Sequence, residues 1–274
     1  MLILLLLPTA LLLYGGVHEY GILGFEDKRD YQMIDGEKVY YDESGELMHE
    51  LLAEDIFYGF STGIGELPGF TLGLFGIMLI IMISSELIGE EYTAKTMNIL
   101  RTTPITSFEI LAYRYLSAVI TTISILGIYT IFFYLMVMQF SGIHGILNEL
   151  EVLVLVLKLI ILQSIAFVGI FCLFATITKR AFIISFAYWL LWENAVPPLS
   201  PNIVQKFTIT HYLNSVEFDG VDELGWGISE STYYLLNSSG DSLATEPLIS
   251  IIILTFVTFL ALLLGAKGIS RKEF

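Results

Sequence analysis

Ile83–Arg114 reads ISSELIGEEYTAKTMNILRTTPITSFEILAYR, and this stretch decides how the rest of the chain is arranged. It is polar and charged, and it interrupts two long apolar runs. Gly89 is able to end the helix of the first run, because glycine accepts the left-handed conformation of a helix C-terminus. A short helix is expected from about Glu90 to Arg101. Glu90 and Glu91 fall at its positive end and Arg101 at its negative end, while Glu91 and Lys95 pair across one turn. Met97, Ile99 and Leu100 give it an apolar side. Thr102-Thr103-Pro104 then breaks it, since proline disfavours helical geometry at the residue before it. Thr106-Ser107-Phe108-Glu109 has the capping-box pattern, with Ile105 and Ile110 spaced as a hydrophobic staple. Glu109 reads either as that cap or as a contact for a partner. A helix, a break and a capped second helix exceed what a turn between two membrane spans requires, so the stretch reads as a docking element.

The composition agrees with a membrane setting. The chain is 55% hydrophobic and 15% charged, with a mean hydropathy of +0.74. One soluble core could not hide so many apolar runs, and the bilayer is their natural solvent. Cys172 is the single cysteine, which excludes an intrachain disulfide and a cysteine-cluster metal site. The formal charge of −15 comes without a basic patch, so nucleic acid is excluded as a partner.

Taken in order, residues 1–16 read as a first span. They are short against the roughly 20 residues needed to cross the hydrocarbon core. A signal peptide competes for them, but the basic leader and the small-residue cleavage site are missing. Residues 17–67 are an acidic extracytoplasmic segment. Within it Asp35-Gly36, flanked by Tyr31 and Val39-Tyr40-Tyr41, reads as a hairpin turn, and Glu46–Phe60 has helical spacing. The further expected divisions are a second span at 68–88, the docking loop at 89–110, a third span at 111–138 and an outer loop at 139–149. After these come a fourth span at 150–177, an inner turn at 178–180 and a fifth span at 181–196. An extracytoplasmic loop with short re-entrant helices (197–246), a sixth span (247–267) and a tail (268–274) complete the chain. The expected fold class is therefore an all-α polytopic membrane protein of six transmembrane helices.

Charge sets the orientation. Lys95, Arg101, Arg114, Lys179, Arg180, Lys267, Arg271 and Lys272 share one side with five acids, whereas the other side holds 23 acids and four cations. The excess of Lys and Arg places the first side, and with it both termini, in the cytoplasm. The expected location is the cell membrane.

Several patterns imitate catalytic or metal chemistry and fail. His49-Glu50 begins a zinc-protease pattern, but Ala53 stands where the second histidine must bind. Gly63, Gly65 and Gly69 miss the dinucleotide spacing, and loosen the start of the second span. No Gly-x-x-x-x-Gly-Lys-Ser/Thr occurs, so this chain has no loop of that kind for ATP. Glu90-Glu91 faintly resembles a paired-glutamate protease motif, but His18, His49, His144 and His211 all lie outside the spans. No catalytic residue, metal site or cofactor is expected on this chain. Lys158 lies in an apolar run at the distance from Ile177 that lets it snorkel to the outer interface. Gln163, Ser164, Ser117, Thr121, Thr122 and Ser124 either line a polar path or bond neighbouring helices.

The docking stretch resembles the loop between the second and third spans of type-2 ABC transporter permeases, the exporter family. Its pattern runs roughly Glu-x-x-x-Gly-Thr-Leu-x-Leu-Leu-x-Ser/Thr-Pro-Val-Ser/Thr-x-x-Glu-Ile-Leu-x-x-Lys. Glu91, Thr96, Met97, Ile99, Leu100, Thr103, Pro104, Ile105, Thr106, Glu109, Ile110, Leu111 and Arg114 fall at matching positions, and Lys95 replaces the glycine. The size is similar to the branch associated with multicopper-enzyme maturation. In that family an amphipathic helix precedes the first span, whereas here Met1 opens directly into the span, through truncation or loss of that helix. The resemblance implies a transport subunit, not an enzyme, that forms a homo- or heterodimer in the bilayer. It also implies a separate ABC ATPase subunit that binds ATP and magnesium. Glu91, Lys95, Met97, Leu100 and Arg101 are then the docking residues for that ATPase. Gly89, Pro104, Thr106, Glu109 and Arg114 set the geometry of the loop. The competing reading is a membrane sensor or assembly scaffold whose acidic outer segment binds a partner. A lone ABC ATPase gene beside this one discriminates in favour of transport.

Overall fold

The computed structural model describes residues 31–34, 37–40, 53–64, 67–68, 71–93, 106–138, 150–178, 180–196, 202–223, 235 and 243–271. Among these the long elements are all helical. Two short antiparallel ribbons accompany them. β1 (Tyr31–Ile34) pairs with β2 (Glu37–Tyr40) so that Ile34 faces Glu37. That register leaves Asp35-Gly36 between the strands, the two-residue spacing expected of a hairpin. β3 (Gly63–Ile64) pairs with β4 (Leu67–Pro68) directly after helix α1 (Ala53–Thr62).

α2 spans Leu74–Thr93, α3 Ser107–Met138 and α4 Leu150–Ile177. α5 (Ala181–Tyr188) continues into a π-helical turn, Trp189–Asn194. A single turn α6 (Asn202–Gln205) precedes α7 (Ile209–Glu223), and α8 covers Pro247–Arg271. Within these, Ser107–Met138, Leu150–Ile177 and Pro247–Ile269 are long and apolar enough to cross a membrane, and Leu74–Glu86 is a shorter apolar helix. At 1.5 Å per residue each long helix covers a hydrocarbon core of about 30 Å.

α4 is the central helix, packed on α8 above all and also on α2, α3, α5 and α7. Its sequence explains the position. It is apolar around its circumference, as a helix surrounded by others must be. It buries Leu155, Leu159, Phe167, Phe171 and Cys172 among its neighbours. At Gly169 the approach of α8 is close enough that a Cβ would lie 2.8 Å from Thr258 Cγ2. Ile77, Ile80 and Ile81 of α2 and Leu254 of α8 complete this core. α1 caps one end of the bundle, with Phe57 5.1 Å edge-on from Tyr134 and Phe60 4.6 Å from Phe133 near the end of α3. The opposite end brings together Leu111, Thr176 and Gly265.

Two sequence expectations are corrected. α2 does not end at Gly89 but runs through it to Thr93. A glycine inside a helix costs only about 1 kcal/mol relative to alanine, a penalty small enough for the helix to continue one more turn. The helix also starts later than Pro68. The Pro68 segment is committed to β4, and Leu72 N–H donates to the Ser61 carbonyl at 3.0 Å instead of joining a helical turn. The first span at 1–16, most of the acidic segment and the loop at 139–149 lie outside the described residues, as do Lys95, Met97, Leu100, Arg101 and Pro104.

Candidate functional site

The loop region is described on both flanks of residues 94–105. On the first flank Glu91 belongs to the last turn of α2. On the second, the capping box forms in full. Thr106 N–H and Oγ1–H both donate to Glu109 Oε2, at 2.8 and 2.9 Å, and Glu109 N–H donates back to Thr106 Oγ1 at 3.2 Å. Ile110 N–H bonds the Thr106 carbonyl at 3.1 Å, which closes the first helical turn. These bonds favour the ionised carboxylate, so the exposed Glu109 is held below the usual carboxylate range, chiefly by the Thr106 amide and then by its hydroxyl. Glu109 therefore caps the first turn of α3 together with Thr106. Beside it, Phe108, Ala112, Tyr113 and Leu116 line a shallow groove on the open face of α3. Arg114 is half-buried on the same helix.

The polar residues of the spans separate into two groups. Ser117, Thr121 and Ser124 lie on the exposed side of α3, in line with the largely exposed Tyr113. Thr122, Gln163 and Ser164 are buried. Gln163 Nε2 donates to the Leu72 carbonyl at 2.8 Å, so it ties the connection before α2 to the central helix. Lys158 is exposed on α4. Among the described residues, no three His, Cys, Asp or Glu side chains come together as a metal site.

A second constellation surrounds α7, whose later turns reach Leu155 near the start of α4. Its N-terminus presents unsatisfied amides. Thr208 Oγ1 accepts from His211 N–H at 3.2 Å, as an N-cap does. Glu193, on the π-turn after α5, approaches from the other side. Its Oε2 accepts from Thr210 N–H at 2.9 Å and from Thr210 Oγ1 at 3.0 Å, and its Oε1 bonds the Tyr188 hydroxyl. Glu193 is fully buried, at 0% exposure. Further along α7, Ser215 Oγ donates to the His211 carbonyl at 2.7 Å and accepts from Thr245 N–H at 3.1 Å. His211 Nε2 sits 3.2 Å from Thr245 Oγ1. Burial, then the charge of Lys206, pushes the His211 imidazole down to about 4. Glu217 Oε1 accepts from Tyr58 of α1 at 2.5 Å.

The sequence reading did not single out this second constellation. Its one visible signal is an acid closing an aromatic apolar run, Tyr188-Trp189-Leu190-Leu191-Trp192-Glu193.

No curated protein and no solved structure matches the chain. The family model described as ABC-2 family transporter protein matches residues 11–219, well over half of the chain. With its apolar helices, its capped α3 and that match, the chain belongs to the ABC-2 family of transporter membrane proteins.

Proposed function

We propose that this chain is the permease subunit of an ABC transporter and works as a dimer with two separate ATPase subunits. The dimer exports a substrate that the chain's chemistry leaves unnamed. Six spans, with both termini in the cytoplasm, fit the apolar runs and the distribution of Lys and Arg. The observation that carries the coupling model is the Thr106–Glu109 capping box. It holds Thr106, where the chain leaves that loop, to the first turn of a continuous helix, Ser107–Met138. A push on that loop is thereby delivered to a rigid element about 48 Å long at 1.5 Å per residue.

In this model Glu91, Lys95, Met97, Leu100 and Arg101 face the ATPase. The bend falls between Thr93 and Thr106, with Pro104 inside it. ATP-driven closure of the ATPases tilts α2 and α3 and switches a path between the two permeases from inward- to outward-open. The exposed polar row of Ser117, Thr121 and Ser124 on α3 supports a path on that face, because lipid alone gives those hydroxyls no partner outside the chain.

Co-purification with the cognate ATPase tests the reading, followed by charge reversal with E91K and R101E. The expected outcome is a stable complex whose ATPase activity loses its dependence on the permease in the double variant. A chain that recovers no ATPase, or coupling that survives both reversals, refutes the docking model. Failure to recover an ATPase turns the assignment towards a sensor or scaffold.

A further inference from the structure

The groove at the start of α3 has a volume of about 240 Å³ and is lined by Phe108, Glu109, Ala112, Tyr113 and Leu116. Helical spacing builds it. Phe108, Ala112 and Leu116 follow one another at four-residue steps, and Glu109 and Tyr113 form the neighbouring ridge. Ala112 has the smallest side chain of the five, so the first ridge dips between Phe108 and Leu116. The lining changes character along its length. Glu109 stands at one end, while Tyr113 and Leu116, exposed by 72% and 51%, form the rest. Ile120, also exposed, carries the apolar surface one turn further. The cap leaves Glu109 half used. The Thr106 amide and hydroxyl both donate to Oε2, whereas a carboxylate accepts at both oxygens. Among the described residues none donates to Oε1, and no cation stands against the carboxylate.

The groove straddles an edge of the apolar bundle. Leu111 lies beside Thr176 and Gly265, close to where the apolar runs of α4 and α8 stop at Ile177 and Ile269. Glu109 comes two residues before Leu111 and Leu116 five residues after it, a further 7 Å or so along the axis at about 1.5 Å per residue. The lining therefore passes from the polar edge of the bilayer into hydrocarbon, a gradient that a phospholipid shares from head group to chain. A primary ammonium finds complementary groups at the polar end. Glu109 Oε1 is open to a charge-assisted hydrogen bond, and the rings of Phe108 and Tyr113 attract a cation through their faces. We propose that this groove binds a phospholipid whose head group carries a primary ammonium, a phosphatidylethanolamine, with the ammonium on Glu109 Oε1 and an acyl chain along Leu116 and Ile120. A choline head group brings a cation without an N–H, so it reaches the rings but makes no hydrogen bond to Oε1. A head group of net negative charge is repelled by Glu109. The lipid site stands or falls separately from the docking of an ATPase.

The test incubates the purified full chain with equal amounts of phosphatidylethanolamine, phosphatidylcholine and phosphatidylglycerol of the same acyl chains, and reads the retained lipid by native mass spectrometry. The wild type is expected to retain phosphatidylethanolamine over phosphatidylcholine by about tenfold, the worth of one hydrogen bond to a charged group. E109Q removes the charge but keeps a capping-box residue, so the start of α3 survives while the preference falls to about twofold or less. A112L fills the groove and leaves Glu109 in place, and it should lose the preference as well. Equal retention by the wild type, a preference for another head group, or a preference that survives in either variant overturns the proposal. Should a variant fail to fold, carbodiimide coupling of the wild type in phosphatidylethanolamine nanodiscs decides, since it joins a carboxylate to a primary amine. Glu86, exposed at the end of the apolar run of α2, is the internal control. Lipid attached to Glu109 in preference to Glu86 supports the site, and equal or greater attachment at Glu86 overturns it.

Discussion

Tyr58 and Glu217 lie 159 residues apart and are joined by one hydrogen bond of 2.5 Å. Both are buried, at 6% and 5% exposure, and the bond fastens α1 to α7. Tyr58→Phe removes the hydroxyl and leaves the ring, so the packing around Phe57 and Phe60 is preserved. The loss is therefore the hydrogen bond itself plus the cost of a buried carboxyl with one donor fewer. Bonds to charged groups contribute about 1.5–3 kcal/mol and neutral ones about 1 kcal/mol, so Y58F is expected to cost about 1–3 kcal/mol. In a chain of this size each kcal/mol lowers the melting temperature by about 2–4 °C, which thermal unfolding in detergent or nanodiscs resolves. The pair should also be non-additive. Glu217→Leu alone removes the acceptor from a buried hydroxyl, whereas Y58F/E217L replaces both partners by apolar groups and should cost less than the sum of the single variants. A Y58F cost below about 0.5 kcal/mol, or strict additivity in the cycle, refutes the reasoning that this bond holds α1 to α7.

The close approach of α4 and α8 gives a contrasting pair of glycine variants. Gly169→Ala places a Cβ 2.8 Å from Thr258 Cγ2 and 3.4 Å from its Cα, so it should destabilise by about 1–3 kcal/mol through overpacking. Gly127→Ala meets Leu157 Cδ2 at 3.8 Å, an ordinary contact, and should be neutral or stabilising by up to about 1 kcal/mol from helix propensity. Melting temperatures that do not separate the two variants refute the packing account. For His211, held down to about 4 when folded against about 6.5 when unfolded, the unfolded chain binds more protons between these values. Stability is full above about pH 6.5 and is lost as pH falls towards 4, by at most about 3 kcal/mol, less where water reaches the ring. Melting curves of wild type and H211Q across that window check it, the variant showing the shallower acid loss.

The sequence made some of this legible and hid the rest for physical reasons. Long apolar runs announced α3, α4 and α8, because membrane helices are built from contiguous residues. The Thr106–Glu109 cap was equally readable, since its partners are three residues apart. The end of α2 was not. Gly89 carries the usual stop signal, but whether a glycine ends a helix depends on what the next turn can gain by continuing. The start of α2 was misplaced for a similar reason, as Pro68 lies in an apolar run yet pairs with Gly63 in a ribbon. Glu193 escaped notice because its meaning depends on Thr210, which lies beyond Pro197, Pro198 and Pro201. Tyr58 and Glu217 could not have been paired by any local pattern.

The distribution of polar bonds leads one step further. The core around α4 is held mainly by apolar contact and close helix packing. Such contacts are given up together when the helices part, because their stabilisation follows the apolar area kept from water or lipid. α7 is held differently. It is hydrogen-bonded to α1 through Glu217, to the π-turn through Thr210, and to the segment entering α8 through Ser215 and His211. α7 also buries Ile209, Val216 and Val221, so freeing it costs that burial as well as about 1–3 kcal/mol for each bond, whereas separating α4 from α8 exposes apolar surface over many more turns. Local opening follows the cheaper route. If the bundle has a part that changes position while the rest stays packed, it is the layer made by α1 and α7. The three bonded contacts, together with the burial of Phe57, Phe60, Val216 and Val221, then set how readily it does so.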